Sequence, residues 1–297
     1  MELNRHVLQL ALAILLAAGL IEAIVLSRRG SGNYDWREAG ASLGISVGQR
    51  LIALTLGSAL FGLLLQAWQW RLWTIPMNHA WSLGLLILAV EFAYYWEHRC
   101  SHEVRWLWAT HAVHHSPRHL YLANADRLGW TGPLSGSSLF FLPLVILGFP
   151  PAYVAGALAF NLLYQFWLHT ELIGRLGWFD RIFNSPSNHR VHHSTNARYL
   201  DRNYGGVLMI YDQIFGTYAA EDEHERCHYG LVQQLHSYNP FRIALAEWFA
   251  VIRDLGRARG ARQVVGFLLG PPGWQPGRRG LTTARLRAQS TGSEPEA

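Results

Sequence analysis

The feature that most limits this chain is a run of 43 residues, Leu128–Thr170, without one Asp, Glu, Lys or Arg. Val7–Ser27 holds a single charge, Glu22, and Leu51–Trp70 holds none. Leu72–Val90 adds a fourth apolar stretch, with its heart at Trp81–Val90 and a helix expected to run on to Trp96. A bilayer core about 30 Å thick needs about 20 such residues in a helix. Only 15% of the 297 residues are charged, which leaves too little polar sequence to cover four buried helices in water. The same composition excludes a disordered chain, a coiled coil and a nucleic-acid-binding domain. Cys100 and Cys227 are too few and too far apart for a disulfide framework or a CxxC metal site.

The expected fold is therefore an all-α integral membrane protein, with about four to five transmembrane or re-entrant helices and a cytoplasmic, histidine-rich helical cap. The first apolar stretch is too long for a signal peptide and lacks an Ala-x-Ala site before Arg28, so it is read as a retained helix. Arg28, Arg29 and Arg37 fill the first connection, whereas the second, around Arg71, carries one arginine. The positive-inside rule then puts the first connection in the cytoplasm and returns Glu97–Arg127 to the same side. Leu128–Thr170 becomes a hairpin turning at Gly148-Phe149-Pro150-Pro151, its first leg (about Leu134–Leu147) short. The chain has arginine but no lysine, a bias of GC-rich bacterial genomes, which points to a bacterial inner membrane. Residues 1–75 read as N-terminal transmembrane helices, 76–275 as one further domain and 276–297 as a disordered tail. Phe241–Leu255 has the pattern of an amphipathic helix on a membrane surface.

Fifteen histidines are the chemical anomaly. His98 and His102 form H-x-x-x-H just past the third apolar stretch. His111, His114 and His115 form H-x-x-H-H, and His189, His192 and His193 repeat that spacing. On a helix, positions i, i+3 and i+4 share a face, so each box aims its imidazoles one way. Imidazole suits iron, copper, nickel and zinc. The boxes exceed the three or four ligands of one zinc site and match two metals with positions left open. His169 stands alone at the end of the hairpin. His6, His79 and His236 are expected in cores, and His119, His224 and His228 in solvent, with His119 a weak ligand candidate. Position 106 is Trp, so no H-E-x-x-H motif follows His102 and a zincin-type protease is disfavoured.

The run Glu91-Phe-Ala-Tyr-Tyr-Trp-Glu-His98-Arg-Cys-Ser-His102-Glu103, with Thr110-His111-Ala-Val-His114-His115-Ser116, resembles the fatty acid hydroxylase/sterol desaturase superfamily. So do His169-Thr-Glu, Asn184-Ser-Pro-Ser-Asn-His189-Arg-Val-His192-His193, Asp201-Arg-Asn-Tyr-Gly-Gly and Ile214-Phe-Gly-Thr. Within it the likeness is to the alkylglycerol monooxygenase branch and its bacterial relatives, through Glu103 and Gly270-Pro-Pro-Gly-Trp-Gln-Pro-Gly. The resemblance spans about residues 80–275. It implies a membrane enzyme with a histidine-ligated pair of iron ions that uses O2 and external electrons to hydroxylate or desaturate a lipid. By motif, the ligands would be His98, His102, His111, His114, His115, His189, His192 and His193, with His169 an additional one. Glu103 would be a ligand or would orient one. The electron source would be an external pterin or a protein carrier. Asn188 stands where several relatives have histidine and is not expected to bind metal.

Ligating imidazoles need acceptors for their second N–H, and Asp126, Asp180 and Asp201 are the acidic candidates. Tyr94, Tyr95, Trp96, Trp106 and Trp108 are read as an interfacial aromatic belt. Arg99, Arg105, Arg118 and Arg127 could meet anionic head groups or an acidic electron donor, or simply reflect the positive-inside excess. A histidine-rich metal-binding or transport protein is the competing class. Transporters place ligands near the bilayer midplane, whereas these boxes lie outside the apolar spans.

Overall fold

The structure, a computed structural model, describes residues 2–29, 34–278 and 280–292. It is helical throughout, with two isolated β-bridges, Phe183 to Leu208 and Ser194 to Tyr229, as its extended pairing among the described residues. Four helices frame the site: α1 (Glu2–Arg28), α2 (Trp36–Trp68), α3 (Ala80–Glu103) and α4 (Arg105–His115).

α2 starts 15 residues before the apolar run that announces it. Asp35 caps it by accepting from the backbone N–H of Arg37 and Glu38. At 33 residues it is about 50 Å long, well beyond a bilayer core. Its first turns belong to the polar cap: Glu38, Ala41, Ser42, Ile45 and Ser46 are buried there, and Arg50 pairs with Asp126 at 2.6 Å. By length and composition α2 is the helix among the described residues able to cross a membrane. Trp70, Leu72 and Trp73 are exposed beyond its far end.

The stretch after α2 departs from the expected helix. Leu72 donates its N–H to Ile146 at 2.7 Å and Ile75 to Gly148 at 2.9 Å, and Pro76 keeps the segment out of a helix. The span thus begins at Ala80, eight residues late. The hairpin does turn at Gly148, whose φ of +118° and contact with the Trp73 carbonyl leave no room for a Cβ. Its first leg is split into Gly132–Ser135, Ser137–Phe141 and Leu142–Leu147, and its second is Pro151–Tyr164. At 14 residues the second leg reaches about 21 Å, less than a full crossing. Leu86, Val90, Ala93 and Tyr94 of α3 pack on Phe141, Leu144, Val145, Phe149 and Val154 of the hairpin.

Pro240–Leu255 is helical and amphipathic as its sequence suggests. It buries Ile243, Ala244, Val251 and Asp254 and exposes Phe241, Phe249 and Ile252. Asp254 anchors it to α4 through Arg105 at 2.5 Å, both side chains under 8% exposed. The segment read as a disordered tail holds a helix at Thr283–Thr291, where Arg287 donates to the Leu200 carbonyl. Residues 293–297 lie outside the described residues.

Asp254→Ala leaves the Arg105 guanidinium buried without its counter-charge, a loss of about 3–5 kcal/mol. Its thermal midpoint in detergent should fall by several degrees, and an Arg105→Met/Asp254→Leu double variant should recover most of the loss.

Candidate metal centre

α3 carries His98 and His102 one turn apart at its C-terminal end, and α4 follows after the single residue Val104. This sharp corner turns His111 and His115 back toward α3. The third box lies on Pro186–His192, capped by Ser185, whose side chain accepts from the Asn188 N–H. His169 follows the hairpin's last turn.

These histidines resolve into two groups. His98, His102, His111, His115 and His192 place ring nitrogens within 4.8 Å of one another, and so do His114, His169, His189 and His193. Each H-x-x-H-H box therefore serves both groups. Helical geometry aims its imidazoles together but does not say which centre each one joins. Glu103 is in neither group. Its carboxylate accepts from Arg99 at 2.9 Å and is 45% exposed.

The nitrogen geometry tests whether the groups suit a metal. Nε2 atoms face each other at 3.1 Å in His98–His111 and His111–His115. The second group gives 3.3 Å for His114–His169 and 3.0 Å for His169–His189 and His189–His193. Metal–nitrogen bonds of about 2.0–2.1 Å put neighbouring ligand nitrogens about 3.0–3.4 Å apart. His98, His169 and His192 each donate Nδ1–H to a carbonyl, those of Tyr204, Gln165 and Arg202. Carbonyls only accept, so Nε2 of each neutral ring carries its lone pair inward. The Nε2 atoms of His102 and His192 are buried with no hydrogen-bond partner. Lone pairs crowded together are stable around a cation, and the residues fit one.

Electrostatics agree with neutral, ligating rings. Burial, then the nearby His102, pushes His98 down to about 3, against the Tyr204 hydrogen bond. Burial takes His169 down to about 4. His111, His114, His115, His189, His192 and His193 are held well below the ordinary histidine value, by burial first and by neighbouring histidines second.

Of the acidic candidates, Asp201 reaches a histidine of the first group, with Oδ1 3.3 Å from His102 Nδ1. Asp126 pairs with Arg50, and Asp180 accepts from the Leu176 N–H. Asn188 holds the Asp180 and Phe183 carbonyls, away from the rings. The arginines read as possible head-group contacts have structural partners. Arg127 is buried on Ser42, Ser116 and the Val113 carbonyl, and Arg118 donates to Asp35 and Tyr238. Tyr94 and Tyr95 are buried rather than interfacial. His79 and His236 are exposed rather than in cores, and His119 sits by Glu38 at 3.4 Å. The His6 side chain lies outside the described residues. Sequence reading missed the carbonyls of Arg202 and Tyr204, which no side-chain pattern announces. It also missed Glu91, an acid in an apolar helix that accepts from Asn161 and from the N–H of Val207 and Leu208.

A cavity of about 390 Å³ adjoins both groups. His102, His115, His192 and His193 line it, together with Arg105 and Glu247.

Residues 83–217 match the family model described as fatty acid hydroxylase. The chain belongs to the fatty acid hydroxylase family. Every histidine of the two groups falls within the matched segment of this membrane-associated, iron-dependent family. Human alkylglycerol monooxygenase is 36% identical over 93% of this chain and 61% of its own length. Zebrafish alkylglycerol monooxygenase is 38% identical over 74% of the chain and 48% of its own. The ornithine lipid hydroxylase OlsE of Rhizobium tropici is 36% identical over 48% of the chain and 43% of its own. The chain thus spans about half to three-fifths of the curated alkylglycerol relatives named here. No solved structure matches it.

Metal-free protein should lose stability as pH falls. Unfolded histidines bind protons near 6.5, whereas the buried rings stay neutral, His98 to about 3 and His169 to about 4. The unfolded state then holds more protons, and stability present above about 6.5 drains away toward acid pH. Thermal midpoints of chelator-treated protein between pH 7.5 and 4.5 should fall steadily, and a flat profile would contradict neutral burial.

Proposed function

We propose that this chain is a membrane-bound lipid monooxygenase that holds two iron ions and hydroxylates its substrate with O2 and external electrons. The observation that carries the reading is the division of nine histidines, eight buried and His111 partly so, into two adjacent groups at the polar end of apolar helices. The named relatives support a lipid substrate through the activities in their names. They also tilt the reading from desaturation toward hydroxylation.

His98, His102, His111, His115 and His192 would hold one ion, and His114, His169, His189 and His193 the other. Iron bound there would activate O2 for attack on an unactivated C–H bond, chemistry that side-chain acids and bases lack. The chain's own contribution is placement. Backbone acceptors at Tyr204, Arg202 and Gln165 fix the tautomers of three ligands. Burial keeps water and protons from the rings. With histidine ligands alone the pair would stay strongly positive, and Glu103, paired with Arg99 at the surface and in neither group, is read as taking no part in ligation. The cavity beside His102 and His192 gives a small molecule access to the ligand edge. Electrons come from outside the chain, from a pterin or from a protein carrier.

The same reading places the groups on the cytoplasmic side of a bacterial inner membrane. Leu51–Trp68 of α2 crosses, the Gly148 hairpin is re-entrant, and Pro240–Leu255 lies along the interface. Its exposed face supports this, because Phe241, Phe249 and Ile252 stand beside Arg242 and Arg253, while Asp254 points inward to Arg105.

Lipids of cells expressing the protein should contain species heavier by one oxygen that vanish in a His98→Ala variant. A loss of two hydrogens would assign desaturation, and no change with iron-loaded protein and several reductants would end the oxygenase reading. Single cysteines at Arg118 and Arg198, with Cys100 and Cys227 replaced, should both resist an impermeant thiol reagent in intact cells and react after lysis.

A further inference from the structure

One tetrapeptide supplies acceptors to three ligands of the first histidine group. His98 Nδ1 donates to the Tyr204 carbonyl at 2.8 Å and His192 Nδ1 to the Arg202 carbonyl at 3.0 Å. His102 Nδ1 lies 3.3 Å from Asp201 Oδ1. The backbone there is unusual: Asp201 has φ +52° and Asn203 φ +57°, the two non-glycine residues with positive φ among those described. Side-chain-bearing residues disfavour that region, and Asp and Asn enter it most readily.

The loop is held from several directions. Asn203, fully buried, donates to the carbonyls of Asn188 and Ala219 and accepts from the Ala219 N–H. Asp212, also fully buried, accepts from the N–H groups of Tyr204 and Gly205 at 2.8 and 2.7 Å and from the Thr217 hydroxyl. Thr283 and Arg287 of the last helix face Asp201. Backbone strain kept in place by this many bonds marks a functional constraint.

We propose that Asp201–Tyr204 is a positioning element for the first metal site alone. It sets the tautomer and direction of His98, His102 and His192, with Asp201 as its side-chain positioning residue. The inference rests on the reading that the two groups hold metal. It adds an asymmetry: one ion depends on this loop, whereas His169 in the other group is set by Gln165, one turn back along its own chain. Loss of an acceptor behind a ligand weakens metal binding by about 10- to 100-fold.

Two substitutions separate the carboxylate from the backbone. Asp201→Gly tolerates the left-handed conformation and removes the acceptor, whereas Asp201→Asn keeps both the conformation and an accepting oxygen. Full-length parent and variants, loaded anaerobically with Fe(II), would be challenged with a chelator while bound iron is counted. The parent should hold two ions. Asp201→Gly should release one at least tenfold faster and keep the other at the parent rate, and Asp201→Asn should restore most of the retention. An Asp201→Gly protein that keeps both ions as firmly as the parent would overturn the proposal, as would one that releases both together. A parent that binds fewer than two ions would instead remove the two-metal reading beneath it.

Discussion

The interaction on which this structure depends is the mutual approach of imidazole nitrogens. Contacts of 3.0–3.3 Å between Nε2 atoms in both groups match the spacing of ligand nitrogens around a cation, and His98 and His169 turn lone pairs into them. The helices are arranged to make that approach possible. The α3–α4 corner at Val104, the Ser185 cap and the hairpin's end each deliver histidines from different parts of the chain to one place. Among the described residues no carboxylate joins either group, and burial holds His98, His169 and the six histidines of the H-x-x-H-H boxes toward their neutral forms.

Buried carboxylates away from the histidines join α1, α2 and α3 to the loops around the two groups. Glu22 of α1 accepts from the Leu122 N–H at 2.6 Å and from Thr170. Glu38 of α2 accepts from the Arg118 N–H at 2.9 Å. Glu91 of α3 takes the N–H groups of Val207 and Leu208. In each case a helix carboxylate accepts from loop N–H groups that would otherwise lack a partner. These contacts fix the loop that follows α4, the residue next to His169 and the segment just after the Asp201–Tyr204 acceptors.

Much of this was legible in the sequence, and the rest was hidden for identifiable reasons. Box spacing found eight of the nine histidines because i, i+3, i+4 geometry is local, whereas His169, alone in the sequence, came only from the family resemblance. Their partition was not local: His111 and His114, three residues apart, belong to different groups. The Gly148 turn announced itself through Gly and Pro. The early start of α2 did not, because Arg37, Glu38 and Arg50 look like a connection until their partners across the cap are known. Arg105 and Arg127 read as surface cations for the same reason. Asp201 was one of three equal acidic candidates, and only tertiary structure shows that it alone reaches a histidine.

X-ray absorption at the iron edge of fully loaded protein tests the central claim most directly. The account predicts two irons per chain, each with about four or five nitrogen or oxygen neighbours near 2.0–2.2 Å and the outer-shell scattering of several imidazole rings, without sulfur. One iron per chain, or a first shell dominated by carboxylate or thiolate, would contradict it.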